Sequence, residues 1–574
     1  MQPLVRFALI LVLSICGFAF AEDERFDIRR FAVEGNTLLA PAHIEGLVAP
    51  FLGAKRNYGD IQKALEALEG AYRSGGYGTV QVYVPEQELT HGVVRLQVTE
   101  GVIGKISIIG NKHFDSDNVR GTLPSLAPGK APNMRQISED IQLANENPAK
   151  QIEVTLGVSE EEGKVDAKVN VTDDNPEKFI VSLDNTGTAA TGKWRAGFAY
   201  QNANVGNRDQ VVTVAYTDSP DKPSGVKVEI YSFAYRLPLY SIGDSVDIIY
   251  GKSSVNTPNA QATGFSLNGK GDVLGLRWNH YFARRGEYTS KLIGGFDYKY
   301  INTRCLNNAT GAAFHIDPPT PGNAACTPYT VRPFSLTYTG QRQSPGQILD
   351  YSLGVYQNWA TGTRYAFRTT TGAAGFDHYS VMNNDGDPAG VGDKRATPDG
   401  FNYLKATFSY LHALPGNWAM RGAFSGQYSQ TALPASEQFG IAGSTAVRGF
   451  NERAVAMDKG YFVNLEVYSP ELASDAGLPG SLKAIGFYDF GRSANYLGAR
   501  SGDVGAAPFE KAGIASIGAG LRFALGKEVN LRTDLAHIID AGPADIRPGN
   551  SAANPANTET RGDWRGHFGL QLAF

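Results

Sequence analysis

From about Glu177 to Phe574 the chain alternates apolar and polar side chains in segment after segment, and beyond Ala21 no stretch approaches ~18 apolar residues. Ala515, Ile517, Ala519, Leu521 and Phe523 share one face, against Ser516, Gly518, Gly520 and Arg522 on the other. Tyr461, Val463, Leu465 and Val467 oppose Asn464 and Glu466, and Val529, Leu531 and Leu535 oppose Asn530, Arg532 and Asp534. Period two is the strand period, so each segment offers one apolar face and one face whose ionisable groups need water or partners. A soluble sandwich also alternates, but so many polar-faced segments joined by long connections fit a membrane barrel better. Without a spanning helix, only a closed barrel satisfies every backbone polar group in lipid.

Strands are predicted near 177–186, 193–201, 209–217, 225–236, 243–253, 272–284, 287–301, 328–341, 347–359, 402–412, 416–429, 459–469, 480–491, 512–524, 528–538 and 564–574. The count is even, as a bacterial barrel requires. Connections after even-numbered strands are mostly tight, as at Arg284-Arg285-Gly286, Leu414-Pro415-Gly416 and Gly526-Lys527, whereas several after odd-numbered strands are long. That asymmetry matches periplasmic turns and extracellular loops. Residues 360–401, with the weakly alternating Thr363, Tyr365 and Phe367, are assigned to the fifth outer loop, because another strand would break the parity. Cys305 and Cys326 fall in the fourth outer loop, where an oxidising compartment favours a disulfide over two free thiols.

The N-terminus reads as a secretory signal: Arg6, an apolar run from Phe7 to Ile15, and Ala19-Phe20-Ala21 before Glu22, with cleavage expected after Ala21. A repeat of about 75 residues follows, visible when Val33-Glu34-Gly35-Asn36 is laid over Ile108-Ile109-Gly110-Asn111. In each copy a strand and a Gly-Asn turn precede two helices and two alternating strands. Ile44, Leu47, Val48 and Phe51, then Ile61, Leu65, Leu68 and Tyr72, mark the helices of the first copy. The expected organisation is a signal peptide at 1–21, α+β domains at 22–101 and 102–176, and a 16-stranded antiparallel transmembrane barrel at 177–574. Periodicity alone does not exclude two generic α+β domains. A net charge of −4, with no basic stripe, argues against nucleic acid as a partner. The nine histidines show no zinc-protease spacing and no phosphate-binding loop occurs, so no catalytic residue, metal or cofactor is expected and the chain is read as a non-enzyme.

Three features then carry a family resemblance. Val447-Arg448-Gly449-Phe450 lies in the sixth outer loop, behind Leu433-Pro434-Ala435-Ser436-Glu437-Gln438-Phe439-Gly440. Phe487-Tyr488-Asp489-Phe490-Gly491 follows in the thirteenth strand, where Phe487, Asp489 and Gly491 share a face. The last strand places Phe568, Leu570, Leu572 and Phe574 at every second position. With the tandem repeat, these resemble the two-partner secretion transporters, the TpsB branch (haemolysin secretion/activation proteins such as ShlB, FhaC and HecB) of the superfamily of POTRA domains and barrels that includes the BamA insertase.

The resemblance implies an outer-membrane transporter with two periplasmic POTRA domains that recognise a large unfolded exoprotein, haemolysin- or adhesin-like, which folds into a β-helix outside. It implies that the sixth loop folds into the lumen, so that Arg448 meets Asp489, with Gly449 permitting the tip and Gly491 leaving room for the backbone. A lumen-facing Phe487 needs something to pack on. The terminal strand resembles the signal read by the outer-membrane assembly machinery. Relatives often carry a plug helix, but only Glu22 to Arg25 separate the expected cleavage site from Phe26, so closure is expected to rest on the sixth loop, other loops or a different element. The alternatives are an assembly factor for other barrels and, in another class, a passive porin or surface receptor.

Overall fold

The computed structural model describes residues 25–88, 91–189, 191–224, 226–254, 271–301, 305–306, 313–314, 329–360, 364–369, 372–377, 397–474, 476–496, 511–542 and 559–574. They divide into two compact units, one drawn from the described residues up to Ile106 with Ala127–Met134 and Leu156–Ala167, the other from the described residues of Ser107–Leu126, Arg135–Thr155 and Lys168–Phe574.

In the first unit, helices α1 (Pro41–Val48) and α2 (Tyr58–Ser74) bury their apolar stripes with a three-stranded sheet ordered Arg30–Glu34, Val93–Glu100, Val80–Tyr83. Helix α2 starts where it does because the Asn57 side chain accepts the Asp60 N–H while the Asp60 carboxylate accepts the Asn57 N–H, a reciprocal cap. Its stripe is Ile61, Ala64, Leu68 and Tyr72; the expected Leu65 packs only partly, and Ala64 takes the deep position. A short pair, Phe26–Ile28 with Gly53–Arg56, is additional to the expected elements.

The Gly-Asn repeat has a physical basis at both sites. Gly35 and Gly110 have φ of 84° and 88°, and a Cβ on either would stand 2.3 Å from a carbonyl oxygen, Val98 O and Val171 O respectively. The following asparagines each tie down a turn, Asn36 Nδ2 to Leu39 O at 2.8 Å and Asn111 Nδ2 to Phe114 O at 2.9 Å. An acid from the last strand of each copy accepts the turn's N–H groups, Glu100 those of Thr37 and Leu38, Asp173 those of Lys112, His113 and Phe114. The second copy has the expected order as well: strand Val102–Ile109, α3 (Ser116–Gly121), α4 (Met134–Ala144), and strands Lys150–Val158 and Lys164–Asp173, with the last one central.

The second unit is dominated by a closed antiparallel barrel of sixteen strands. They are β1 (Glu177–Asp184), β2 (Arg195–Val205), β3 (Gln210–Asp218), β4 (Ile230–Leu239), β5 (Asp244–Ser253), β6 (Gly271–Arg285), β7 (Tyr288–Ile301), β8 (Tyr329–Val331 with Pro333–Ser344), β9 (Gln347–Asn358), β10 (Asn402–Ala413), β11 (Ala419–Tyr428), β12 (Lys459–Tyr468), β13 (Ser481–Ala494), β14 (Lys511–Leu525), β15 (Val529–Asp540) and β16 (Trp564–Ala573). Strand β8 is interrupted at Arg332, next to Pro333, which has no N–H to give the ladder. Strands 364–369 and 372–377 pair only with each other, outside the barrel, so the parity argument holds there. The ring closes between β16 and β1, from Gly569↔Asp184 to Ala573↔Ile180.

The alternation resolves as expected into an apolar outer wall and a polar inner one. Leu276, Leu353, Phe408, Leu465, Ile517, Leu521 and Leu535 are exposed outside, whereas Asp297, Asn464, Glu466, Ser516 and Asp534 are buried within. On the end bearing short turns, α3 and the start of strand Lys150–Val158 meet the barrel. Lys150 Nζ makes a buried ion pair with Asp209 in the β2–β3 turn and lies 4.9 Å from the centre of the Phe114 ring. Asp209 also accepts Asn118 Nδ2 at 2.9 Å and Tyr240 OH at 2.6 Å, and Glu146 binds Arg236 and Lys291 at 3.2 Å each.

Candidate functional site: a loop folded into the barrel

The connection between β11 and β12, residues 429–458, turns inward. Phe439–Gly440 pairs with Ala456–Met457, and Ala442 bridges to Val447, so the loop has its own small scaffold. Ile441, Val447, Phe450, Val455 and Met457 pack against Ala512, Ile514, Ile538 and Ala541 of the wall. Asp458 holds the loop's end to its beginning by accepting the Leu433 N–H at 3.0 Å.

At the tip, Arg448 is the largest fully buried side chain among the described residues. Its Nε lies 2.6 Å from Asp489 Oδ2 and its Nη2 2.8 Å from Asp489 Oδ1, a bidentate fork. The backbone N–H of Arg448 also reaches Asp489, at 3.2 Å. Nη1 lies 2.9 Å from Glu466 and 3.4 Å from Asp534. The guanidinium carbon sits 3.5 Å from the centre of the Phe487 ring, which supplies the packing partner this lumen-facing aromatic required. Around this core Arg421 pairs with Glu466 at 3.1 Å, while Arg522 and Arg532 bind Asp534 at 2.7 and 2.9 Å. Asn464 links loop and wall, donating to Ala446 O and to Asp489 Oδ1 at 2.8 Å each.

The two glycines are explained separately. Gly449 has φ of 98°, and a Cβ there would meet Ile538 and Ala536 at 3.1 and 3.4 Å; its N–H donates to His567 Nε2 at 2.8 Å. A Cβ on Gly491 would stand 3.2 Å from the Val447 side chain, from Phe462 Cβ and from Tyr461 O, so the space it leaves is taken by a loop side chain and the neighbouring strand rather than by the expected loop backbone. Val447 and Phe450 are both fully buried in the contact with the wall.

The loop has a second anchor that the motifs do not announce. Glu437 is buried and accepts Lys299 Nζ at 3.0 Å and Tyr403 OH at 2.7 Å, and Ser436 N–H donates to Tyr329 OH at 3.3 Å. These partners stand on β7, β10 and β8, whereas the Arg448 partners stand on β12, β13 and β15, and His567 on β16. Strands β8 and β16 lie half the ring apart, so the loop crosses the lumen and is held on both walls. Alternation had already placed Glu466 and Asp534 on the inner face; nothing in the sequence paired them with a residue in a loop.

Of the other expected positions, Phe568, Leu570, Leu572 and Phe574 belong to or end β16; Phe568 meets the Trp194 ring at 5.7 Å, and Phe574 exchanges backbone hydrogen bonds with Phe179 at 2.8 and 3.0 Å. The expected cleavage after Ala21 lies outside the described residues, as does Cys326 of the expected Cys305–Cys326 pair.

A sixteen-stranded barrel with an apolar outer wall, a preceding α+β tandem and an arginine-tipped loop drawn into its lumen defines an outer-membrane protein of the POTRA-barrel class. Two family models match this chain: a ShlB-type POTRA domain over residues 26–101, and the haemolysin secretion/activation protein family ShlB/FhaC/HecB over 163–309 and 339–523. The chain belongs to that family. Among curated relatives, the outer membrane transporter CdiB of Dickeya dadantii (strain 3937) is 24% identical over 76% of this chain and 71% of its own. The heme/hemopexin transporter protein HuxB of Haemophilus influenzae (strain 86-028NP) is 21% identical over 91% and 85%. The solved structure of CdiB from Escherichia coli shares the fold, with a TM-score of 0.68 at 19% identity, covering 97% of this chain and 92% of that one. This protein is an outer-membrane transporter of two-partner secretion, with its POTRA region in the periplasm. Transporters of this family work with a secreted exoprotein.

Proposed function

We propose that the chain conducts one large exoprotein, which reaches the barrel unfolded and folds into a β-helix outside, and that the sixth loop is the gate it must displace. The observation that carries this is the loop's double attachment, through Arg448 to Asp489, Glu466 and Phe487 and through Glu437 to Lys299 and Tyr403. A lumen crossed in this way has no clear path for a chain until the loop moves. Domain limits of 22–101, 102–176 and 177–574 are part of this reading, supported by the repeat and by the start of β1 at Glu177. The exoprotein would dock by adding a strand to a POTRA sheet, for which strand Lys150–Val158 lies at the edge of the second sheet, with its Ile152 N–H and C=O already held by the Asn145 side chain. The protein would act as a conduit without a catalytic step or cofactor. The outer-membrane assembly machinery would receive the nascent barrel through Phe568, Leu570, Leu572 and Phe574, a Cys305–Cys326 disulfide would close the fourth outer loop, and the signal would be removed after Ala21.

Comparing the medium of cells carrying the parent protein, the Arg448→Ala variant and no copy tests the reading. Loss of one or a few exoproteins in the null, with Arg448→Ala reaching the outer membrane yet secreting poorly, is the expected result. Normal secretion by Arg448→Ala would show that the Arg448 anchor is not needed for export. Widespread loss of outer-membrane proteins in the null would indicate an insertase instead, and altered solute uptake alone a porin.

A further inference from the structure

On the outer wall, at the end bearing long loops, three cations stand on adjacent strands at one level: Lys459 at the start of β12, Arg492 near the end of β13 and Lys511 at the start of β14. Tyr461 is paired with Arg492, and Ala494 with both Lys459 and Lys511, which keeps the three on neighbouring rungs. They line one open recess of about 600 Å³ together with Tyr428, Tyr461 and Asp540. Among the described residues none of the three lies within ion-pairing distance of a carboxylate; Lys459 sits 5.9 Å from the centre of the Tyr428 ring. With Asp540 included, the recess still carries a net charge of +2, three cations against one anion.

Such positions on a lipid-facing wall are ordinarily apolar, and cations there are tolerated only at the interface, where anionic groups can meet them. The same strands continue towards the membrane centre with exposed Leu465 and Val467 on β12, Tyr488 on β13, and Ile517 and Leu521 on β14. The wall thus offers a cationic pocket above an apolar track. That combination suits an amphiphile with phosphates on its headgroup and acyl chains beneath, whereas a free anion would use only the upper part. Arginine can grip a phosphate through two N–H groups, and the lysines add point charges around it.

We propose that Lys459, Arg492 and Lys511 form a binding site for the phosphate groups of an outer-leaflet glycolipid. The site lies on the same stretch of wall whose inner face holds Asn464, Glu466 and Asp489, so the lipid would sit behind the anchor of Arg448.

Native mass spectrometry of the full-length protein in detergent tests this, using a bis-phosphorylated glucosamine lipid, its dephosphorylated counterpart and inorganic phosphate as probes. The phosphorylated lipid is expected to bind the parent protein, and the triple variant Lys459→Gln/Arg492→Gln/Lys511→Gln is expected to bind it about tenfold or more weakly, having lost its charge-assisted contacts. Lys459→Arg/Lys511→Arg, which keeps the charges, should bind as the parent does. Equal binding of the dephosphorylated lipid would overturn the proposal, as would undiminished binding by the triple variant, loss of binding in the charge-preserving variant, or displacement of the lipid by inorganic phosphate.

Discussion

Replacing Arg448 by alanine should unseat the sixth loop, and the contacts indicate which charge causes it. Glu466 would keep Arg421, and Asp534 would keep Arg522 and Arg532. Asp489 would keep only neutral donors, the Asn464 amide and the loop backbone N–H, while fully buried. Orphaning one member of a buried ion pair costs about 3–5 kcal/mol, which would shift the seated-to-released equilibrium by roughly two to four powers of ten. Adding Asp489→Asn removes the orphaned charge at nearly constant volume, so the double variant should recover much of the seated population, with a coupling of about 2–3 kcal/mol. Conductance of the purified protein in planar bilayers reads the released population directly. The expected order of open probability is parent lowest, double variant intermediate, Arg448→Ala highest. A double variant as leaky as Arg448→Ala, or an Arg448→Ala channel as quiet as the parent, would refute the reasoning.

Glu437→Gln should weaken the opposite anchor by about 1.5–3 kcal/mol, since it exchanges charged hydrogen bonds for neutral ones, and should raise open probability in the same bilayer assay. Lys150→Met should leave Asp209 buried with only Asn118 and Tyr240 as donors, so faster hydrogen exchange is expected in α3 and the β2–β3 turn while the barrel ladders stay protected. Gly35→Ala should lower the melting temperature of the first POTRA domain, because it combines a left-handed φ with a Cβ pressed onto Val98 O, at a cost of about 1–3 kcal/mol or more. Burial pushes the Asp173 carboxyl up, but three backbone N–H groups outweigh it and hold the group below the usual carboxylate range. Its contribution is therefore present above the unfolded value of about 4 and lost as pH falls through the lowered value, so acid titration monitored at the Lys112 to Phe114 amides should release that turn, and Asp173→Asn should remove the dependence.

Much of this architecture is written locally. The period-two pattern located each strand within a few residues because lipid outside and water inside enforce it at every step. The Gly-Asn repeat was visible because both glycines must avoid a carbonyl at the same point of the motif. The break in β8 was signalled by Pro333, although the strand prediction ran straight through it. The partners of Arg448 were legible only in part. Asp489 came from the family resemblance, while Glu466 and Asp534 were visible as inward acids without a destination. Which inward residues face a loop tip depends on barrel closure, which brings Arg448 within reach of a residue 86 positions away. The Glu437–Lys299 contact, 138 positions apart, depends on it even more. Nor did any local pattern connect Lys150 with Asp209, since that pair exists only once the start of a strand in the α+β tandem has met a barrel turn.

A loop tied to walls half the ring apart is also a crossbeam. While seated, it resists flattening of the cylinder, because squeezing the barrel along that diameter would strain the contacts at both ends. If it leaves during secretion, as proposed, the barrel would lose stiffness as well as closure. The conducting form would then be the mechanically softer one, and a polypeptide filling the lumen would take over the bracing that the loop had given up. A vacant open pore would have neither support, which would favour prompt return of the loop once the last residue of the passenger had left.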